Sequence, residues 1–261
     1  MSRTLGLGLA LLAGQAHAVR YVFYDCGAYE YGTSKDATTS GALNDLGTVV
    51  GAAGNTSFPF RWTAETGMRR LGPSQRLNQG GWANAVNNSG TVVGWMRWYD
   101  PVTKYTWGHL PMVWTPAGGF RQIPRIDGPV GMGEAFDVNS SGMVCGDCQA
   151  YNQQAFVWTE ERGTEGIGWL SPPLGSRATS VNDSGVVVGS ALVGVWPIGT
   201  GHAFRWTRGT GMEDLGVPLG YESAAATHVS ADGTVYGIAH GFNDIWGWRL
   251  RPGGRWRSWG G

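Results

Sequence analysis

The sequence predicts an all-β chain, and within that class a β-propeller of five blades with four antiparallel strands each. Three observations predict it. A nine-residue motif, x-N-x-x-G-x-V-x-G, recurs five times along the chain. Each copy is followed by an aromatic strand-like piece and then by a glycine-led apolar piece. Glycine supplies 44 of 261 residues while charged residues supply 15%, against roughly 7% glycine and 25% charge in an ordinary soluble domain.

Composition narrows the classes further. An apolar content of 42%, with 12% aromatic, suffices for a core and excludes a wholly disordered chain. No G-X-Y period exists, which excludes collagen. Glycine costs about 1 kcal/mol in a helix interior, and here it is scattered throughout, which argues against long helices. Lys+Arg and Asp+Glu number 19 each. A chain of zero net charge lacks the overall basic footprint of a nucleic-acid binder.

The N-terminal 18 residues read as a secretory signal. Arg3 gives a positive start, Leu5 to Gly14 an apolar run, and Ala16-His17-Ala18 a small-x-small cleavage site. The run is too short to cross a bilayer core of about 30 Å. The expected mature chain is residues 19–261, a single propeller domain. It is expected to be a monomer without a membrane span, outside the cytoplasm in the periplasm or extracellular space.

Three cysteines remain, Cys26, Cys145 and Cys148. An oxidising compartment permits a local disulfide within Cys145-Gly-Asp-Cys148, and plain burial on a strand is the other reading. A redox CxxC would sit near a βαβ pattern, which is absent. Zinc would need further Cys or His at close spacing, so no metal or other cofactor is expected.

The motif copies span Leu43–Gly51, Val86–Gly94, Val138–Gly146, Val181–Gly189 and Val229–Gly237, at spacings of 43, 52, 43 and 48 residues. Asn-Asp-Ser-Gly and its variants between apolar residues make a hairpin turn, with Gly supplying a positive φ. ATSVN before the fourth turn alternates and VVVG after it is β-branched, so both sides are strands. FRWT (204–207) places Phe204 and Trp206 on one face of a third strand, and MEDLG (212–216) forms a fourth. Four short antiparallel strands per 40–50 residues is a propeller-blade pattern, and stacking the blades buries the indoles. Trp62, Trp114, Trp158, Trp206 and Trp248 align at one recurring position. YVFYDCG (21–27) reads as a sixth copy of the last piece.

The fourth unit, Gly201-His202-Ala203-Phe204-Arg205-Trp206-Thr207 and then Gly211 to Gly216, resembles the bacterial HAF-type extracellular repeat family. The third unit keeps Ala155, Phe156 and Trp158. The fifth departs most, with Ser230 for Asn and Trp246 aligned with Phe. The resemblance covers nearly the whole mature chain and implies an exported, propeller-like repeat protein. It brings no reaction with it. The tripeptide histidine survives only as His202, which excludes a histidine function repeated in every unit.

In a repeat protein, chemistry is sought where the consensus breaks. One break is the insertion of the second unit, where Trp95, Trp98, Tyr99, Asp100, Tyr105, Trp107 and His109 cluster, with Trp196 and Phe242 at equivalent places later. Aromatic faces among hydrogen-bonding groups suit sugar rings or a protein partner. The other break lies two residues before the motif Asn, where the units carry Ala42, Ala85, Asp137, Ser180 and His228. Small residues there suit the innermost strand. Asp137 and His228 are acid–base candidates in a channel, with Glu134 and Glu222 as further carboxylates. The leading expectation is a secreted binding module for a glycan or surface protein, without catalysis. The alternatives are a polysaccharide hydrolase or lyase with its site in the channel, and a purely structural surface or matrix protein.

Overall fold

The computed structural model describes residues 30–31, 34–35, 38–54, 57–72, 80–99, 106–126, 132–149, 153–172, 174–195 and 198–258. Within them lie five four-stranded antiparallel sheets and no helix. Sheet 1 comprises Thr38–Leu43, Val49–Ala53, Phe58–Thr63 and Gly67–Arg70. Sheet 2 comprises Gly81–Val86, Val92–Tyr99, Thr106–Thr115 and Gly119–Gln122. Sheet 3 comprises Met132–Val138, Val144–Gln149, Gln153–Thr159 and Gly163–Gly168. Sheet 4 comprises Ser176–Val181, Val187–Val195, Ile198–Thr207 and Gly211–Gly216. Sheet 5 comprises Ser223–Val229, Val235–His240, Ile245–Leu250 and Arg257–Ser258. Strands pair in chain order within each sheet, so every sheet is an up-and-down meander. A small hairpin, Glu30–Tyr31 with Ser34–Lys35, precedes them.

The first strands of successive sheets touch one another and form the inner wall of the propeller. The core lies between sheets. Val93, Val113 and Ile123 of the second unit meet Val138, Val144, Phe156 and Trp158 of the third. Cys145, Val157 and Ile167 meet Val181, Val187, Phe204 and Trp206 in the same way. Val188 and Ala203 then meet Val229, Val235 and Trp248. Each aromatic ring removes roughly 150–250 Å² from water, and this burial is what one lone sheet cannot achieve on both faces.

The motif Asn does two jobs. Its Oδ1 accepts backbone N–H bonds that close its own turn, as from Thr48 N to Asn44 and from Met143 N to Asn139 (2.9 and 2.8 Å). Its Nδ2 donates to the backbone carbonyl of the corresponding residue in the next unit. The series runs Asn44 to Asn87, Asn87 to Asn139, Asn139 to Asn182 and Asn182 to Ser230, at 2.9–3.0 Å. Ser230 has no amide, and its hydroxyl turns to Asp232 and Thr234 of its own loop.

The two motif glycines answer different demands. The turn glycines, such as Gly185 (φ +75°), sit in the left-handed region. The closing glycines face a bulge that recurs in every first strand, between Ala135 and Asp137 in sheet 3 and Ala178 and Ser180 in sheet 4. A Cβ at Gly146 or Gly189 would collide with the backbone carbonyl of Glu134 or Arg177.

The register corrects one sequence alignment. Val187 pairs with Trp206 and Gly189 with Phe204 in sheet 4, whereas Val235 pairs with Leu250 and Gly237 with Trp248 in sheet 5. Trp248 therefore occupies the Phe position and Leu250 the Trp position. Strand periodicity is two, so a two-residue slip keeps every apolar residue on its face and is invisible to pattern matching. No disulfide joins Cys145 to Cys148. Three residues apart on a strand, they point to opposite faces, Cys145 into the core between sheets 3 and 4 and Cys148 into that between sheets 2 and 3. Cys26 and the signal-like segment lie outside the described residues.

Candidate functional site

One layer of the propeller breaks the repeat in three successive units. It is the cross-strand pair that follows the closing motif glycine: Trp82 opposite Trp95, Glu134 opposite Asp147, and Arg177 opposite Ser190. The flanking units carry Thr39 opposite Ala52 and Ala225 opposite Ile238. Ring stacking brings the three unusual pairs side by side.

Glu134, Asp147 and Arg177 of these pairs line a polar notch of about 130 Å³, together with His109, Met132, Gly133 and Gln153. His109 comes from the third strand of sheet 2. Its Nδ1 donates to Glu134 Oε1 at 3.0 Å. The imidazole stacks on the Trp95 ring, with centroids 3.7 Å apart and planes 14° apart. Gln153 Nε2 donates to Asp147 Oδ2 at 2.6 Å. Arg177 reaches both acids, with Nε 3.5 Å from Asp147 Oδ2 and Nη2 4.0 Å from Glu134 Oε2. Its guanidinium lies over the Phe136 ring at 4.0 Å, which fixes its direction.

Asp147 is the deepest acid, with 8% of its side chain exposed. Burial pushes its carboxyl up to about 6, against the opposing pull of Gln153 and Arg177 and with a further push from the Glu134 charge. A carboxyl of this kind exchanges its proton near neutral pH. The notch thus offers a carboxylate pair, an amide, a guanidinium and an imidazole within one small space. No group of three or more His, Cys, Asp or Glu side chains converges as metal ligands among the described residues.

Of the residues expected from the insertion, His109 lines this notch, and Trp95 stacks on His109 without itself lining it. Trp98, Tyr99 and Trp107 lie on the extended hairpin of sheet 2, but their side chains lie outside the described residues, as do Asp100, Tyr105 and Trp196 entirely. Phe242 is exposed on the second-to-third-strand turn of sheet 5. Glu134 joins the notch, while Glu222 stands before the first strand of sheet 5. Asp147, Gln153 and Arg177 escaped sequence reasoning. The signal was present in the residues after the closing glycine, which run Ala52, Trp95, Asp147, Ser190 and Ile238.

Asp137 and His228 meet at the other end of the inner wall, through Ser180. Ser180 Oγ donates to Asp137 Oδ2 at 2.9 Å and lies 3.4 Å from His228 Nδ1. Asp137 also accepts from Val138 N and Val181 N. The hydroxyl proton is thereby committed to the carboxylate, so the imidazole is the donor to Ser180. A serine nucleophile needs the imidazole between it and the acid. Here the buried serine stands in the middle, and the trio clamps the first strands of sheets 3, 4 and 5 together.

No protein-family profile matches the chain, and no curated protein sequence does. Solved structures do match. A selenomethionine-substituted virginiamycin B lyase from Staphylococcus aureus is 12% identical, with a TM-score of 0.56 over 92% of this chain and 74% of that one. The β-propeller domain of the Trilobed protease from Pyrococcus furiosus is 10% identical, with a TM-score of 0.49 over 81% of this chain and 62% of that one. The likeness to the lyase is one of fold: the chain is a β-propeller.

Proposed function

We propose that this propeller is an exported binding module of the HAF-type repeat kind, which holds a carbohydrate in the notch between sheets 2, 3 and 4. The observation that carries the reading is the convergence of Glu134, Asp147, Gln153 and Arg177 beside the stacked Trp95 and His109. Sugar hydroxyls both donate and accept. Two carboxyls, an amide and a guanidinium held by one another supply both roles with little side-chain entropy left to lose. The His109 imidazole, held flat against the Trp95 indole, supplies a planar flank for a ring face. A notch of this size admits one sugar residue, so the rest of a chain would run along the rim towards the sheet 2 hairpin.

An array of neutral and acidic oligosaccharides, followed by calorimetry, tests the reading. The protein should bind at least one neutral glycan, and Trp95→Ala and Glu134→Gln should each weaken it by about tenfold or more. Unchanged binding in both variants removes the notch as the site.

Asp147 favours a second reading, acid–base chemistry on the same ligand. A carboxyl titrating near neutrality beside a second carboxylate is what glycosidic cleavage uses. Incubation of the bound glycan with the protein separates the two. A binding module leaves the glycan intact. A hydrolase or lyase generates new chain ends, and Asp147→Asn abolishes them while binding persists.

A further inference from the structure

The last two strands of sheet 5 are joined by an arginine-rich turn, Arg249-Leu250-Arg251-Pro252-Gly253-Gly254-Arg255-Trp256-Arg257. Gly253 takes φ +66°, and Gly254 N donates to Arg251 O at 2.9 Å. The turn folds four guanidinium groups, of Arg249, Arg251, Arg255 and Arg257, around a groove of about 580 Å³. Its described lining is completed by Pro252, Gly253 and Gly254, with no carboxylate and no aromatic ring. Asp232 lies close enough for Arg251 to draw its carboxyl down, but it lines the neighbouring cavity.

Arg249 stands directly opposite Arg257. The same pair in sheet 4 is Arg205 and Glu213, joined at 2.5 Å. In sheet 3 it is Val157 and Glu165, with Glu165 taking Arg208 of the next unit at 2.5 Å. In sheet 1 it is Arg61 and Arg69, but there Arg61 lies over the Trp114 ring. Sheet 5 places four arginines along one groove, on a chain whose net charge is zero.

We propose that this groove binds an anionic polysaccharide through its sulfate or carboxylate groups. Guanidinium forks match both oxyanions bidentately. Four of them within one turn suit charges spaced by sugar units. Duplex DNA, with a charge every 1.7 Å or so, rewards an extended basic face, and unpaired bases require aromatic platforms. The described lining offers neither. The groove lies at the end of the propeller that carries the motif turns, opposite the notch, and the inference stands independently of the carbohydrate reading there.

Calorimetry with dextran sulfate and polygalacturonate tests it, with plain dextran and single-stranded DNA alongside. The wild-type protein should bind at least one of the two polyanions in a salt-dependent manner and leave plain dextran unbound. The triple variant Arg251→Ala, Arg255→Ala, Arg257→Ala should weaken binding at least tenfold and lower the log–log salt slope by about three, near one per arginine. Arg208→Ala, in the corresponding turn of sheet 4, should leave binding unchanged. The single change Arg255→Glu, on an exposed turn, gives the same loss without risk to folding. Wild-type protein that binds neither polyanion overturns the proposal. So does a triple variant that binds as tightly as wild type, and tighter binding of DNA than of either polysaccharide overturns the ligand class.

Discussion

Asp147 and Asn139 show how single side chains carry opposite burdens in this fold. Asp147 keeps its proton to higher pH when folded, with its carboxyl raised from 3.8 to about 6 by burial. Between those values the folded chain binds more protons than the unfolded chain, so stability falls as pH rises through the window. Ionisation costs at most about 3 kcal/mol by neutral pH. Urea unfolding near pH 4.5 and pH 7 should show this loss in wild type and its reduction in Asp147→Asn; equal slopes in both would contradict the burial argument. Asp232 works in a separate window and with the other sign. The Ser230 hydroxyl and Thr234 amide hold it down to about 2, so its contribution is lost only as pH falls below 3.8. Asn139 is stabilising. It gives one hydrogen bond to the next unit and accepts from Met143 N and Ser141 Oγ. Asn139→Ala should cost about 2–3 kcal/mol in urea unfolding, since each buried partner is left unmade. The recurrence of this Asn was plain in the sequence, but only its turn-closing role was readable. The donation to the next unit joins residues 43–52 apart and needs the stacked geometry.

At the level of strands and turns, the two motif glycines make separable predictions. Gly185 needs a positive φ and has room around it, so Gly185→Ala should cost about 1–2 kcal/mol. Gly189 has an ordinary φ but meets the Arg177 carbonyl, which is backbone and cannot swing aside. Gly189→Ala should therefore cost more, about 2–3 kcal/mol or above, with a shifted first strand. Thermal melts of the two variants rank them, and a milder effect at Gly189 would contradict the close-approach account. Turn glycines were legible from Asn-Asp-Ser-Gly chemistry. The bulge was not, because in strands of six or seven residues the one phase change it introduces is too short a signal to tell from ordinary variation in the alternation. The misalignment of Trp248 has a different cause, a two-residue slip that leaves every side chain on its face.

Across the molecule, each sheet packs on the next from the first to the fifth, and the asparagine series follows the same direction to Ser230. Among the described residues no comparably extensive contact joins the strands of sheet 5 to those of sheet 1. The number of units, the four strands in each and the inward position of the first strand were all legible, because a repeat states them five times. The notch was only half legible. Trp95 and His109 stood out in the insertion, whereas Glu134, Asp147, Gln153 and Arg177 come from two further units and meet only through stacking. The most direct measurement is a chemical-shift titration of the isotopically labelled protein with the tightest neutral oligosaccharide from the array. Shifts should concentrate on the Trp95 indole, the Gln153 side-chain amide and Arg177 Nε, while the Arg251 and Arg255 signals at the opposite end stay still. Saturable shifts confined to other surfaces, with these three unmoved, would contradict the notch as the site.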